Sequence, residues 1–306
     1  MKRLVLTIYA CIAIYCVQAQ SFITINNDPV VTAMGGVGAS ASASGFSIYN
    51  NTASAALSAN KWEVAYSYSP YMWNFSAGNN LHSVAGYYKL STKHSLAAGV
   101  RYFNKANVML ISDDGESSGQ ALPWDISVEI GYAFKINDLM GVAANLRYIH
   151  SDMDISDMKG GAIGFDVGYY MHKNRLSLGV MLSNIGSKID FGADKYDTPS
   201  WVKAGASYEL PIAAKHTLTG AVQLDYNFKP KNEDGFSSGL GIEYSYAKNF
   251  FLRGGYRFAS DFMDYSYATM GIGANIGLAS LNFTYIVAGS NDPINKTMLM
   301  SVGVKF

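Results

Sequence analysis

The fold is decided by the stretch Met298-Leu299-Met300-Ser301-Val302-Gly303-Val304-Lys305-Phe306, whose pattern the rest of the chain repeats. Apolar side chains occupy every second position, and mostly small or polar side chains lie between them. Successive side chains of a β-strand point to opposite faces, so this alternation predicts a strand with one apolar face. Such a strand suits both a soluble sandwich and a sheet inside a membrane. The number and spacing of the other strands separate these two possibilities.

About fourteen segments of roughly ten residues show this alternation, and that is the length a tilted strand needs to cross a bilayer. In one of the clearest, residues 125–135, Ile126 and Val128 alternate with Ser127 and Glu129. The predicted strands lie near residues 61–69, 81–90, 94–104, 125–135, 139–150, 161–171, 175–184, 200–209, 216–228, 237–247, 249–259, 266–277, 279–288 and 297–306.

The connections between these segments alternate between long and short. Outer-membrane barrels have short periplasmic turns and longer extracellular loops, whereas a soluble sandwich has no reason to sort its loops. Hydrocarbon cannot satisfy the edge of an open sheet, so a spanning sheet must close on itself. We therefore predict an all-β fold, a transmembrane antiparallel β-barrel of about 14 strands over residues 61–306. An even number of strands places both termini on the periplasmic side of a bacterial outer membrane.

Residues 1–19 have the pattern of a secretory signal peptide, with a basic start, an apolar stretch and a small-residue cleavage site at 17–19. A transmembrane anchor is a weaker alternative, because the apolar run is shorter than the roughly 20 residues that span a bilayer. Lipid attachment at Cys16 is also weak, because Tyr15 stands where a small residue is expected. Both cysteines, Cys11 and Cys16, would leave with this segment, so no disulfide is predicted.

Charged side chains of both signs fall on the inward face of the predicted strands, together with many glycines. The formal net charge is zero and only 15% of the residues are charged, so no basic surface for nucleic acid is predicted. A selective ion pore tends to carry one sign of charge, so the near-balance predicts ion pairs and hydrogen bonds to something inside the lumen. The predicted lumenal charges are Glu63, Arg101, Glu129, Arg147, Asp166, Asp225, Glu243 and Arg253, and Lys203, Arg257 and Lys305 share their phase.

Residues 20–60 precede the first predicted strand and contain little strand signal. A barrel of about fourteen strands is too wide for its side chains alone to fill, so we predict that this segment is a hatch, or plug, inside the lumen. A flexible linker is the alternative, because Gly, Ala and Ser are frequent in residues 33–44. The stretch 35–38 also resembles a phosphate-binding loop, but it lacks the preceding strand and the βαβ frame of such loops.

Two motifs in this segment carry a family resemblance: Ala33-Met34-Gly35-Gly36-Val37-Gly38 and Tyr49-Asn50-Asn51-Thr52-Ala53. With the strand pattern, they resemble the PorV/PorQ branch of the FadL-like outer-membrane proteins of Bacteroidetes, over essentially the whole mature chain. That family usually has Asn-Pro-Ala where this chain has Asn51-Thr52-Ala53, so the turn of the hatch is expected to differ there. The hatch residues that match are Met34, Gly35, Gly36, Gly38, Asn50, Asn51 and Ala53.

The resemblance implies a non-enzymatic protein associated with type IX protein secretion. Its implied partners are outer-membrane lipid, a larger translocon barrel and the exported proteins that it binds and hands on. The alternative is a FadL-like transporter that moves a hydrophobic small molecule through the hatch and an opening in the wall. Phe306, an aromatic residue at the end of the last strand, looks like the C-terminal signal that the assembly machinery of such barrels reads.

Few polar residues are arranged as an enzyme or a metal site would require. His150, Asp152 and Asp154 lie close together in sequence at a predicted rim, where outer-membrane proteases keep His and Asp, but a solvated loop is the simpler interpretation. The run 152–157 begins like a calcium loop without its glycine and distal glutamate, and the acidic run 113–116 is equally ambiguous. We predict no catalytic residue, no metal site and no cofactor.

Overall fold

The structure is a computed structural model that describes residues 22–74, 76–112, 115–155, 158–192, 195–231, 234–259 and 265–306. The predicted signal peptide, with Cys11 and Cys16, lies outside the described residues. No helix in the described part of the chain is long and apolar enough to cross a bilayer.

The described chain begins with two short helical elements and continues almost entirely as β-strands. The helical elements are the α-helix α1 (Pro29–Ala33) and a 3₁₀ helix (Thr52–Leu57). The strands are β1 (Trp62–Pro70), β2 (Asn80–Lys89), β3 (His94–Asn104), β4 (Val108–Ile111), β5 (Ser117–Ala121), β6 (Trp124–Asn137), β7 (Met140–Asp152), β8 (Lys159–Lys173), β9 (Leu176–Gly186), β10 (Ile189–Asp190), β11 (Lys195–Tyr196), β12 (Ser200–Ala213), β13 (His216–Lys229), β14 (Gly235–Tyr246), β15 (Phe250–Ala259), β16 (Tyr267–Ile276), β17 (Ala279–Val287) and β18 (Met298–Lys305).

Fourteen of these strands form a closed antiparallel ring, in the order β1-β2-β3-β6-β7-β8-β9-β12-β13-β14-β15-β16-β17-β18. The ring closes where β1 pairs with β18 on one side and β2 on the other, so that Tyr66 lies opposite both Val302 and Val84. The predicted barrel of about 14 strands is confirmed. Strands β10 and β11 extend the sheet beside β8, and β4 pairs with β5 in a separate hairpin.

The connections sort the barrel into two ends. One end, here the short-turn end, carries residues 90–93, 138–139, 174–175, 214–215, 247–249 and 277–278; the other, the long-loop end, carries the longer connections. Strand β1 begins and β18 ends at the short-turn end, where Lys61 N and Trp62 N donate to Phe306 O over 2.6 and 3.0 Å. Phe306 is 65% exposed and stacks on Trp62.

The wall has the two faces that the alternation predicts. Outward side chains are apolar and exposed, as for Val222 (49%) and Leu224 (65%), while Gln223 and Asp225 between them point into the lumen and are buried. An apolar outer face opposite a polar inner face is typical of strands between lipid and a lumen.

Residues 22–60 lie inside the barrel. Helix α1 contacts β15, β16, β17 and β18, and the 3₁₀ helix contacts β2, β3, β6, β7 and β8, on the other side of the ring. Phe22 packs with Leu81, Phe103 and Ile149 near the long-loop end. The described chain therefore crosses the lumen lengthwise before β1 begins, and residue 22 lies at the opposite end from Phe306. The side of the membrane on which the N-terminus lies stays a prediction, because residues 1–21 lie outside the described residues.

Candidate functional site

The Met34-Gly35-Gly36 turn lies against the inner wall of the barrel. Gly35 and Gly36 have φ angles of +69° and +82°, a region that glycine enters at little cost. A Cβ atom on Gly35 would also collide with the backbone oxygens of Leu240 and Tyr256. Met34 is buried with Val37 and Ala221. The glycines of this motif therefore allow the chain to turn in direct contact with β14 and β15.

Gln223 binds the segment that follows this turn. Its Oε1 accepts hydrogen bonds from Gly38 N (2.9 Å) and Ala39 N (2.8 Å), and its Nε2 donates to Gly36 O (3.1 Å). One wall side chain thus satisfies three backbone groups of the plug. Sequence reasoning missed Gln223, because an inward glutamine looks like any other polar lumenal residue.

Wall hydroxyl groups satisfy the carbonyls of α1. Thr269 Oγ1 donates to Ala33 O (3.0 Å), and Thr284 Oγ1 donates to Pro29 O (2.6 Å). The helix begins after Asp28, whose carboxylate accepts from Val30 N at 2.9 Å and caps the first turn. Burial raises the pKa of Asp28, although hydrogen bonds from Val30 and Asn50 oppose the rise.

The two asparagines of the second motif connect the plug to itself and to the wall. Asn50 Nδ2 donates to Asp28 Oδ2 (2.9 Å), which joins the second motif to the cap of α1. Asn51 Nδ2 donates to Ala39 O (2.8 Å) and to Tyr169 O of β8 (3.0 Å). Asn51 Oδ1 also accepts from Ala53 N, so a helical turn starts here with Thr52 in the place of the family's proline. Ala53 is fully buried against the wall.

Seven of the eight predicted lumenal charges form ion pairs across the wall. A chain of pairs crosses four strands: Arg101–Glu129 (2.5 Å), Glu129–Arg147 (2.9 Å) and Arg147–Asp166 (2.8 Å). Arg101 Nη1 also donates to Ile23 O of the plug at 3.0 Å. Separate pairs join Asp225 with Arg257 (2.7 Å) and Glu243 with Arg253 (2.6 Å), and Glu63 lies opposite Lys305 in the strand register. Most of these charges are thus compensated within the protein, and Arg101 binds the plug directly.

The His and Asp residues at the rim do not form one site. The His150 ring packs against Trp124, whereas Asp152 pairs with Lys159 (2.9 Å) and Asp154 accepts from Leu122 N (2.9 Å). Positions 113, 114, 156 and 157 of the two possible calcium loops lie outside the described residues. Within the described ranges, no three His, Cys, Asp or Glu side chains are grouped as metal ligands would be.

A cavity of about 260 Å³ remains between the plug and the wall, toward the long-loop end. Its lining includes residues 23–26 of the plug, Arg147, Asp166 and Lys203 of the wall. It adjoins a bulge between β8 and β9, where the pairing shifts register beside Asp166. Asn184 N donates to Asp166 Oδ1 at 2.6 Å there, so a side chain replaces the missing backbone pairing.

Sequence comparison assigns this plugged barrel to a family. Residues 13–233 match the family described as Type IX secretion system protein PorV. The chain belongs to the PorV family. A search of curated proteins gave no match.

Solved structures of low sequence identity share the fold of this PorV-family barrel. The toluene transporter TbuX of Ralstonia pickettii is 13% identical with a TM-score of 0.63, over 91% of this chain and 98% of TbuX. The toluene transporter TodX of Pseudomonas putida is 9% identical with a TM-score of 0.65, over 90% and 95%. A FadL homologue of Pseudomonas aeruginosa is 9% identical with a TM-score of 0.59, over 92% and 98%. At these identities the likeness concerns the fold alone.

Proposed function

We propose that this protein is a non-enzymatic outer-membrane barrel of type IX protein secretion, which binds exported proteins and hands them on. The match of residues 13–233 to the PorV family is the observation that carries the proposal. The likeness to FadL-type and TodX-type barrels supports an outer-membrane location.

The filled lumen favours a binding role over an open channel. The plug is hydrogen-bonded to β13 through Gln223, to β16 and β17 through Thr269 and Thr284, and to β3 through Arg101. A solute that crossed the lumen would have to break these contacts, whereas a protein that docks on the barrel would not. An exported protein bound at the long-loop end would meet the cavity that the plug leaves there.

The test is secretion in cells that lack this chain. We expect proteins that carry a type IX C-terminal domain to accumulate inside these cells, and a plasmid copy of the wild-type gene to restore their export. Unchanged export of every such protein would contradict the proposal.

A second experiment identifies partners. The tagged barrel is purified from native membranes in mild detergent, and proteins and extracted lipids are analysed together by mass spectrometry. We expect a much larger barrel and exported proteins that share a C-terminal domain. A barrel that carries only hydrophobic small molecules would instead support the other candidate.

That candidate is a transporter of hydrophobic compounds across the outer membrane. It is favoured by the position of the cavity beside the β8–β9 bulge, where the wall departs from regular pairing. The aligned TbuX and TodX are described as toluene transporters. Uptake of toluene into liposomes that contain the purified barrel, compared with empty liposomes, tests this candidate, and equal uptake would exclude it for toluene.

A further inference from the structure

The short-turn end of the barrel carries exposed positive side chains that do not pair with carboxylates of the described chain. Four of its six turns contain a cation, whereas one contains an acidic residue, Asp138, which pairs with Lys135 at 2.6 Å. Two further exposed lysines lie next to these turns, one just before β1 and one at the last position of β8. Together these side chains are the short-turn cations: Lys61, Lys93, Lys173, Arg175, Lys215 and Lys248.

The lysines of the long-loop end differ, because most of those in the described ranges pair within the protein. The exposed pairs are Lys159–Asp152 (2.9 Å), Lys188–Asp197 (3.2 Å), Lys195–Asp190 (2.6 Å) and Lys229–Asp197 (3.2 Å). A lysine whose charge is already compensated attracts an external anion less strongly than a free one. The two ends of the barrel therefore offer different surfaces, and the short-turn end is the one that suits negatively charged groups.

Exposed aromatic side chains accompany the short-turn cations on the outer face of the wall. The ammonium group of Lys61 lies 5.6 Å from the centre of the Tyr88 ring, which is 45% exposed. His216, which follows Lys215, forms a hydrogen bond of 2.7 Å with the hydroxyl group of Tyr244. Tyrosine rings and lysine side chains are typical of the level at which a membrane protein meets lipid headgroups. This level is therefore where we expect the short-turn cations to lie.

The short-turn cations are spread around the barrel and do not form one patch. They lie beside β1 and in or next to the turns that join β2 to β3, β8 to β9, β12 to β13 and β14 to β15. A protein that docks from one side would contact only some of these positions, whereas lipid surrounds the whole circumference. The distribution therefore favours lipid headgroups over a protein as the negatively charged partner.

We propose that the short-turn cations bind the phosphate groups of anionic phospholipids in the leaflet at the short-turn end. Lysine and arginine side chains close to a membrane surface are attracted by anionic headgroups, and their hydrogen bonds to phosphate are strengthened by charge. The surface is thus selective for one class of lipid and is not only compatible with a bilayer. This inference goes beyond the proposed role in secretion, and it rests on the outer-membrane location alone.

Native mass spectrometry of the purified full-length protein tests the selectivity. The protein in mild detergent is mixed with equal amounts of phosphatidylglycerol, which is anionic, and phosphatidylcholine, which has no net charge, both with the same acyl chains. We expect the protein to retain phosphatidylglycerol roughly fivefold more than phosphatidylcholine, which corresponds to about 1 kcal/mol for one cation near a headgroup. A separate sample contains poly-glutamate as a probe for binding of an acidic protein.

Variants locate the lipid site at the short-turn end. Combined replacement of four lysines, Lys93→Gln, Lys173→Gln, Lys215→Gln and Lys248→Gln, should abolish most of the preference, and the same four positions changed to Arg should keep it. The control Lys159→Gln, Lys188→Gln, Lys195→Gln and Lys231→Gln removes the same charge from the long-loop end and should also keep it. Heat-dependent gel mobility verifies that each variant is folded.

Equal retention of the two lipids by the wild-type protein would overturn the proposal, even if no variant folded. Binding of poly-glutamate without a lipid preference would overturn it in favour of an acidic protein partner. An unchanged preference in the folded short-turn variant would overturn it too. An equal loss in the control would show that net charge, and not the short-turn end, sets the preference. None of these failures bears on secretion in the deletion strain, so the two proposals fail separately.

Discussion

Gly179 of β9 packs tightly against the plug, because a Cβ atom there would overlap the carbonyl group of Ala39. We predict that Gly179→Ala displaces residues 39–40 and destabilises the barrel by about 1–3 kcal/mol, the usual effect of overpacking. Thermal unfolding in detergent measures the change. Gly220→Ala is the matched control, because Gly220 faces outward with open space beyond it, and it should stay within about 0.5 kcal/mol of the wild type. Equal effects of the two substitutions would contradict a close-packed plug.

Gln223 should help to hold the plug in place, although its neighbours in the sequence, Val222 and Leu224, are exposed on the outer face. Gln223→Ala leaves Gly36 O, Gly38 N and Ala39 N without their partner, which we expect to cost about 1–3 kcal/mol for buried groups. Hydrogen exchange of the amides of residues 36–39 should become faster. Gln120→Ala, on the exposed hairpin strand β5, is the control and should leave these amides unchanged. Unaltered protection in Gln223→Ala would show that packing alone retains the plug.

The glycine motif and the inward charges could be read from the sequence, because each depends on local conformation or on strand phase. Gly35 and Gly36 adopt positive φ angles, and the inward Arg101, Glu129 and Arg147 pair across strands. The partners of Gln223 depend on contacts between distant segments. No local pattern encodes such contacts, so sequence reasoning could not assign them.

At the scale of the element, the bulge in β9 depends on the conformation and hydrogen bonds of one residue, Asn184. Asn184 has a φ angle of +59°, donates to Pro199 O (2.6 Å) and accepts from Arg147 Nη1 (3.2 Å). We predict that Asn184→Ala destabilises the β8–β9 seam by about 1–3 kcal/mol, because these bonds are lost and alanine disfavours positive φ. Asn184→Gly loses the same bonds but accepts the backbone conformation, so it should be milder.

Hydrogen exchange of residues 182–187 reports on this seam, and thermal unfolding reports on the whole barrel. Asn275→Ala, which removes an exposed side-chain bond to Lys248 O, is the control and should alter neither measurement at the seam. Equal exchange rates of the amides of residues 182–187 in all variants would show that Asn184 does not stabilise the pairing of β8 with β9.

The spanning strands were predictable because lipid and lumen impose a period of two over their whole length. The short strands β4, β5, β10 and β11 lie outside the ring, where no such constraint acts, and their regions, 105–124 and 185–199, looked like plain loops. The helical elements were missed for a related reason. Five residues of α1 and six of the 3₁₀ helix are too few for a helical periodicity, and their caps, Asp28 and Asn51, have meaning only within the packed plug.

At the scale of the whole molecule, the ring of strands and the plug stabilise each other. The barrel supplies hydrogen-bond partners to a segment that has little secondary structure, and the segment fills a lumen that the wall's own side chains cannot fill. Ion pairs in the lumen are shielded from water, so loss of one partner would leave a buried charge. A plug tied to both sides of the ring agrees better with a protein that binds others at its surface than with an open pore.

The orientation of the barrel follows from its two ends, and we predict that the long-loop end faces the cell exterior. Since both cysteines lie in residues 1–19, a single cysteine can be placed at each end, with the unaltered chain as control. Ser118→Cys lies on the exposed β4–β5 hairpin, and Lys173→Cys lies beside an exposed turn of the short-turn end. A membrane-impermeant maleimide should label position 118 in intact cells and position 173 only after the outer membrane is permeabilised. The reverse labelling pattern would mean that the short-turn end faces the exterior. Labelling of neither position in intact cells would contradict the prediction that the long-loop end faces outward.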